Sequence, residues 1–480
     1  MPFECRKRYP SAFPRTRRAT FGGRALRLGA LGIAAAAAVL LGGCALYHPL
    51  PLARGPDLAG QLSALRTEIP ATRPGAPARR IATDRPLDID DVGLLAVLND
   101  PELRSERGQL DVSQANLLQN SLLPNPSASV SFTPLLGGTD VAPAWAASLT
   151  QDVKSILTYH TRKKSARFQL EQVNADLLWQ EWQVAQKGRL LALDLYYGQQ
   201  SLDLSRRELG LLAREVKQVQ AAIEAGNLDF TALAPLLTAK AAAEQAIASL
   251  GLTQIQNWQA LDALLGLDPK VRFAIAAPSL PPPPADLAAL LTGLSDRRPD
   301  LVALQLGYRS ADEDVRSAII GQFPALVLGG QWGQDTSNVR SAGPTATFDL
   351  PIFDRNQGQV AQTRATRLLL HEQYQSRLDA AFGTVKGLGA QIRRLTADVG
   401  NASSAAATAE IMSESAQRAY AQGNMDQRSL ADFETTALDR RIEALALERS
   451  LGESQITLTV ELGLGLPEAR IAPVPNPRKS

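Results

Sequence analysis

Two periodicities divide the chain. Residues 144–234 and 352–466 contain no proline, and within them apolar residues return every seven positions: Leu195, Leu202, Leu209, Val216 and Ile223 in the first stretch, Leu378, Val385, Ile392, Val399 and Ala406 in the second. A sustained seven-residue period predicts helices packed lengthwise against neighbours. From about Ser155 to Ala225 the predicted helix measures on the order of 100 Å at a rise of 1.5 Å per residue. Such a helix needs partners along its whole run, and a returning helix supplies one. Elsewhere the period falls to two. Ala128, Val130 and Phe132 alternate with Ser127, Ser129 and Ser131, while Ala346, Phe348 and Leu350 alternate with Thr345, Thr347 and Asp349. Both runs predict strands with one apolar and one polar face.

These elements occur twice. "LLPNPSASVSF" (122–132) parallels "QFPALVLGGQW" (322–332), "WAASLTQDV" (145–153) parallels "TATFDLPIFD" (345–354), and "AIEAGNLDFTAL" (222–233) parallels "AYAQGNMDQRSL" (419–430). Pro124 and Pro324 are 200 positions apart and the Gly-Asn pairs at 226 and 423 are 197 apart, so one offset relates unlike landmarks. A period this long points to a duplicated unit and not to a short-repeat solenoid. Each unit reads as a helix, two strands joined by a Gly/Pro-bearing loop, a very long helix, a Gly-Asn break and a returning helix.

A strand with one apolar face suits a half-buried soluble sheet or a membrane barrel that is greasy outside and wet inside. Trp145 and Trp332, at strand ends, are compatible with an aromatic girdle. Membrane barrels have at least eight strands, and open sheet edges are not tolerated in lipid. Four strands entering a membrane therefore require oligomerisation, and three copies give twelve.

Composition narrows the possibilities. The chain of 480 residues has 5% aromatic residues, two cysteines and three histidines. That leaves little material for a disulfide framework, a metal cluster or a Cys/His nucleophile. His48, His160 and His371 stand in unrelated contexts, and "GTVKGLG" (383–389) lacks the G-K-[ST] of a phosphate loop. No catalytic residues, cofactor or metal site are expected. The overall charge of +2 hides an asymmetry: residues 1–43 carry +7 and the remainder −5. The basic excess thus lies in a segment expected to be removed, and nucleic acid is not an expected partner.

That segment has the form of an export signal. A basic front is followed by the apolar run Leu28–Leu41, which is shorter than the roughly 20 residues of a transmembrane helix. It ends in Leu41-Gly42-Gly43-Cys44, which resembles the lipoprotein box, with Cys44 as the acylated lipid anchor; Ala45 after it implies sorting to the outer membrane. The expected organisation is a signal peptide (1–43), a lipid-anchored N-terminal tether (44–86), a first structural repeat (87–277), a proline-rich linker (278–296), a second repeat (297–466) and a C-terminal tail (467–480).

Two segments carry a family resemblance: "RRPDL" (297–301), which opens the second unit, and "LPIFDRNQGQVAQ" (350–362), which joins its last strand to its long helix. With the "LLG" at 264–266, the linker after it and the two Gly-Asn breaks, the chain over about residues 90–466 resembles the TolC-like outer-membrane factors, in their lipoprotein branch. The resemblance implies an α+β membrane protein. Each chain would supply long coiled-coil helices and strands to a homotrimer with a twelve-stranded outer-membrane β-barrel, continued by a periplasmic α-helical barrel. It implies the exit duct of a tripartite efflux or secretion system in a Gram-negative bacterium, with a periplasmic adaptor protein and an inner-membrane pump, of RND type, as partners. The hairpin tips, Gly226-Asn227 and Gly423-Asn424, would dock the adaptor. Tyr420 and Asp432 would lie at the periplasmic gate, with Ser429 where a second acidic residue often stands. Locally, Pro299 suits a first helical turn and Asp300 the positive end of its dipole. Asp354, after Pro351, is expected to cap the long helix, and Gly358 to let strand and helix pack closely. Asp229 and Asp426 are expected to cap the returning helices. The competing expectation is a lipid-anchored periplasmic coiled-coil scaffold with a small soluble sheet and no pore.

Overall fold

The computed structural model describes residues 47–69, 79–137, 142–280, 282, 284 and 286–464. Cys44 and the 1–43 segment lie outside them. Residues 1–56 form a unit of their own, of which the described 47–56 carry no helix or strand. Residues from Asp57 onward form the second unit.

Its first half comprises β1 (Glu68–Ile69), β2 (Arg79–Arg80), α1 (Ile89–Asn99), α2 (Pro101–Asn120), β3 (Ser127–Thr133), β4 (Ala144–Asp152), α3 (Val153–Leu157), α4 (Tyr159–Glu224) and α5 (Leu233–Leu265). Two short helices, α6 (Leu287–Leu291) and α7 (Leu294–Arg297), bridge to the second half: α8 (Pro299–Ile320), β5 (Leu326–Gln334), β6 (Arg340–Phe348), α9 (Gln357–Ala421) and α10 (Gln427–Glu461). The helix–strand–strand–long helix–returning helix unit therefore occurs twice. The helix expected from about Ser155 is broken once: Asp152 caps α3 through the Lys154 and Ser155 amides, and α4 begins after Thr158. The 66 residues of α4 and 65 of α9 span about 100 Å each.

The four-stranded sheet runs β3-β4-β5-β6, antiparallel throughout. The helices repeat this order. Beside the strands, α2 packs on α4, α4 on α8 and α8 on α9; toward the Gly-Asn breaks, α5 packs on α4, α4 on α10 and α10 on α9. Beside the sheet the four helices thus form one layer, each continuing the strand at its own position.

Of the ten heptad residues, Leu195, Leu202, Val216, Val385, Ile392 and Ala406 are buried, and Leu209, Ile223, Leu378 and Val399 are half-buried. The largest core lies midway, where α1 fills the angle between α4 and α5. Leu95, Leu193 and Leu261 are fully buried there, with Ile456 from α10. Residues expected to be a loose tether are packed into this core from Asp57 onward. Ile69, Ile81 and Leu87 are buried, Ala59 pairs with Gly266 and Asp268, and Leu87 pairs with Ala274 and Ala276. Pro86 directly precedes Leu87, whose amide and carbonyl make these bonds.

Candidate functional site: a two-faced sheet and paired hairpin tips

The strand register assembles two continuous faces. Phe132 stands opposite Trp145, Val130 opposite Ala147 and Ala128 opposite Leu149; Ala147 pairs on with Trp332, and Leu328 with Ala346. All of these lie on one face, and among the described residues nothing covers it: Val130 is 81% exposed, Phe132 66% and Phe348 57%. Phe132, Trp145 and Trp332 gather at the loop end and Phe348 at the helix end. The other face aligns Ser127 with Thr150, Ser129 with Ser148, Gln331 with Gly343 and Gly329 with Thr345. The Ser129 and Ser148 hydroxyls lie 2.8 Å apart. A Cβ on Gly329 would stand 2.2 Å from the Leu149 carbonyl, so this face draws its strands together where a side chain is missing. The strand predicted at Thr345–Leu350 starts earlier and stops at Phe348.

Both sheet edges are open, since among the described residues β3 pairs only with β4 and β6 only with β5. The helical layer ends the same way. Leu252 and Ile255 on α5, and Leu368, Leu369, Ile411 and Met412 on α9, are exposed apolar residues on its two border helices.

The long helices end as their sequence predicts. Gly226 (φ +76°) and Gly423 (φ +73°) take the left-handed conformation, and the Asn227 and Asn424 amides bond back to Ala222 and Ala419. Asp426 caps α10 through the Ser429 amide; Asp229 caps a short 3-10 turn, Phe230–Ala232, ahead of α5. Leu228 and Phe230 are exposed at the first tip, a feature the sequence reading passed over. Of the gate candidates, Tyr420 donates from Oη to Gln427 Oε1 across the second turn (3.0 Å), and Asp432 is exposed on α10. The carboxylate of Glu215 on α4 lies beside Asp432. Burial first, and then that neighbouring charge, raise the Glu215 pKa, with Arg428 opposing.

The strand–helix junction differs from expectation in two respects. Asp354 does not cap α9. It accepts from the Asn356 amide within the preceding turn, and Asn356, left-handed at φ 60°, occupies the cap position while its side chain donates to the Ala318 carbonyl. Gly358 contacts nothing that a Cβ would disturb, so it serves no close packing. Pro351 follows β6 and accepts from Arg355.

Residues 290–464 match the model of the outer membrane efflux protein family. None of the curated proteins matches the sequence. Among solved structures, the CmeC outer membrane channel of Campylobacter jejuni is 15% identical, with a TM-score of 0.64 over 88% of this chain and 95% of its own. The open-state MtrE outer membrane channel of Neisseria gonorrhoeae is 16% identical, with a TM-score of 0.63 over 83% and 98%. VceC, an outer membrane protein of Vibrio cholerae, is 17% identical, with a TM-score of 0.61 over 78% and 96%. Residues 290–464 thus match the outer membrane efflux protein family, and the chain over most of its length has the fold of these channels.

Within the matched residues the "RRPDL" segment does more than start a helix. Pro299 takes the first turn of α8 as predicted. Arg298, 3% exposed, donates to both Asp300 carboxylate oxygens (3.0 and 2.7 Å) and to Glu461 at the end of α10. Its guanidinium lies 4.7 Å from the Trp179 ring centroid on α4, and Arg377 of α9 adds a bond to Asp300 (2.8 Å). Burial alone would raise the Asp300 pKa, but the bonds from Arg298 and Arg377 outweigh it and hold the carboxyl below its usual range. One short motif thus ties four helices together. The pairing could not be read from the motif, because Glu461 and Trp179 lie more than a hundred residues away on either side. Among the described residues no group of His, Cys, Asp and Glu could hold a metal, and no helix is long and apolar enough to cross a membrane.

Proposed function

We propose that this chain is the outer-membrane exit duct of a tripartite efflux or secretion system, passing small molecules passively through a homotrimeric pore. The observation that carries this reading is the uncovered apolar face of a sheet whose two edges are both unpaired. A soluble protein would cover such a face, and lipid tolerates it only when the edges are closed. Three copies joining β3 to β6 give twelve strands, apolar toward lipid and lined inside by Ser, Thr, Gln and Gly. The same closure brings the exposed apolar borders of α5 and α9 together and continues the barrel into the periplasm. The wall performs no chemistry; a polar lining keeps water and cargo moving, and an inner-membrane pump, of RND type, supplies the energy through a periplasmic adaptor. The adaptor docks on the tips at Gly226-Asn227 and Gly423-Asn424, with Tyr420 and Asp432 near the narrow end. Cys44 carries the acyl anchor once residues 1–43 are removed.

Purified protein in planar bilayers should conduct, and it should remain in the outer membrane when Cys44 is replaced by serine. A monomer in detergent that does not conduct and leaves the membrane with its anchor would refute the duct and favour the scaffold.

A further inference from the structure

The apolar face of the sheet does not end where the strands do. Leu326 stands opposite Phe348 in the last register of β5 and β6, on the same face as Leu328 and Ala346. From this pair the face runs on into a groove of about 350 Å³, walled by Val153 and Leu157 of α3 and by Phe323 and Pro324 of the turn after α8. Leu157, Phe323 and Phe348 are each more than half exposed there.

The helix end of the groove is cationic. Lys154 lines it, and its ammonium gives one of three donors to the Gly321 carbonyl (2.7 Å). Arg162, in the first turn of α4, reaches back to α3. Its Nη2 donates to the Ser155 carbonyl (3.1 Å), and its Nε is buried with no hydrogen-bond partner among the described residues. Lys163 and Lys164 follow, both exposed. Residues 150–170 hold five Lys and Arg and one acidic residue, Asp152. The Asp152 carboxylate accepts from the Lys154 and Ser155 amides and from the Ser155 hydroxyl, and Arg167 is paired with Glu171 (3.0 Å). No ion pair among the described residues engages Lys154, Arg162, Lys163 or Lys164.

We propose that this groove seats one anionic phospholipid of the membrane's periplasmic leaflet: an acyl chain lies along the apolar walls toward the sheet, and the phosphate meets Lys154 and Arg162 at the helix end. Two properties select this occupant. The groove continues the face that the sheet turns to lipid, so an acyl chain enters it without crossing water. Its polarity is also that of a lipid, apolar toward the strands and cationic toward the helices. Lys and Arg at a membrane boundary lay their stems on apolar surface and hold their charge at the level of anionic head groups. This seat rests on the duct reading, which puts the membrane boundary where the strands give way to helices. Val153 and Leu157 belong to the first repeat and Phe323 and Phe348 to the second. A lipid held between them therefore fastens the two repeats at the level where the sheet ends.

The test is the full-length protein reconstituted into vesicles whose phospholipid carries a diazirine in its acyl chain, with a phosphatidylglycerol head group in one set and phosphatidylcholine in the other. Irradiation and peptide mapping then read where the chains lie. Residues 153–157 and 323–326 should be labelled several-fold more, per residue, than Val130 and Phe132 on the open face, and several-fold more with phosphatidylglycerol than with phosphatidylcholine. The double variant Lys154→Gln, Arg162→Gln should lose the head-group preference and leave the labelling of Val130 and Phe132 unchanged. If that variant does not fold, Leu157→Trp, which fills the groove and keeps both charges, should cut the groove labelling several-fold. Groove labelling no stronger than that of Val130 and Phe132, as a neighbouring copy seated there would give, overturns the lipid seat. So does equal labelling with both head groups in the wild type. Labelling of the sheet without the groove leaves the duct and removes the seat. Labelling of the groove without the sheet keeps the seat and refutes the duct, and labelling of neither refutes both.

Discussion

Arg298 carries more of this fold than any neighbour in its motif. It is buried, it balances Asp300 and Glu461, and it stacks on Trp179, so truncating it leaves the buried Asp300 with Arg377 alone and Glu461 without this partner. Removing one partner from such a buried network costs about 3–5 kcal/mol. Arg298→Ala should therefore lower the unfolding free energy measured in guanidinium by an amount of that order, and Arg298→Lys should recover little, since a point charge cannot bind both oxygens of Asp300. By comparison, Arg440→Ala removes an exposed pair with Glu443 and should change stability by less than about 1 kcal/mol. Nearby, burial first and then the Asp300 charge raise Asp176 to about 6. Its proton is bound more tightly in the folded chain, so this group stabilises at acid pH and its contribution is lost as pH rises through about 6.

At the scale of the element, the hairpin turns rest on backbone conformation. Gly423, at φ +73°, has open space for a side chain but an angle that an L-residue adopts at about 1–2 kcal/mol. Gly423→Val should lower stability by that order and weaken adaptor capture, while Gly423→Asn should be tolerated; circular dichroism melts and pull-down of the adaptor read the two effects. These turns were legible because glycine followed by asparagine and an aspartate is a local signal, as were the helices, because a seven-residue period needs no tertiary knowledge. The strand–helix junction was not. Asp354 satisfies every sequence rule for a cap, yet Asn356 takes the position because its amide reaches the Ala318 carbonyl on another helix. The fit of Ala59 and Leu87 against Gly266 to Ala276 was hidden for the same reason, since these partners lie about two hundred residues away. The alternating strands did reveal two faces; their four-fold alignment into one sheet needed the register.

For the whole molecule, strand order and helix order coincide, so each chain is one continuous slice with two matching borders. If three slices close, a cysteine at Ser129 on β3 should cross-link to one position among Ser341, Gly343, Thr345 and Thr347 on β6, changed to cysteine one at a time. The product on a denaturing gel should be a covalent trimer at one register and not at its neighbours, because diagonal positions on the same face lie about 7–8 Å apart, beyond the reach of a disulfide. Cross-linked dimers alone, or ladders of indefinite length, would contradict closure by three.

If three copies close into a ring, the open borders also determine how damage spreads through a population. A ring of three heterologous joints fails when any one joint fails, so an inactive subunit with a spoiled border poisons every assembly that takes it up. In a cell making normal and defective copies equally, random mixing leaves about one-eighth of the rings wholly normal. Mutations on β3 or β6 should therefore behave as dominant even beside an intact gene, whereas lesions that prevent the chain from folding at all should be recessive.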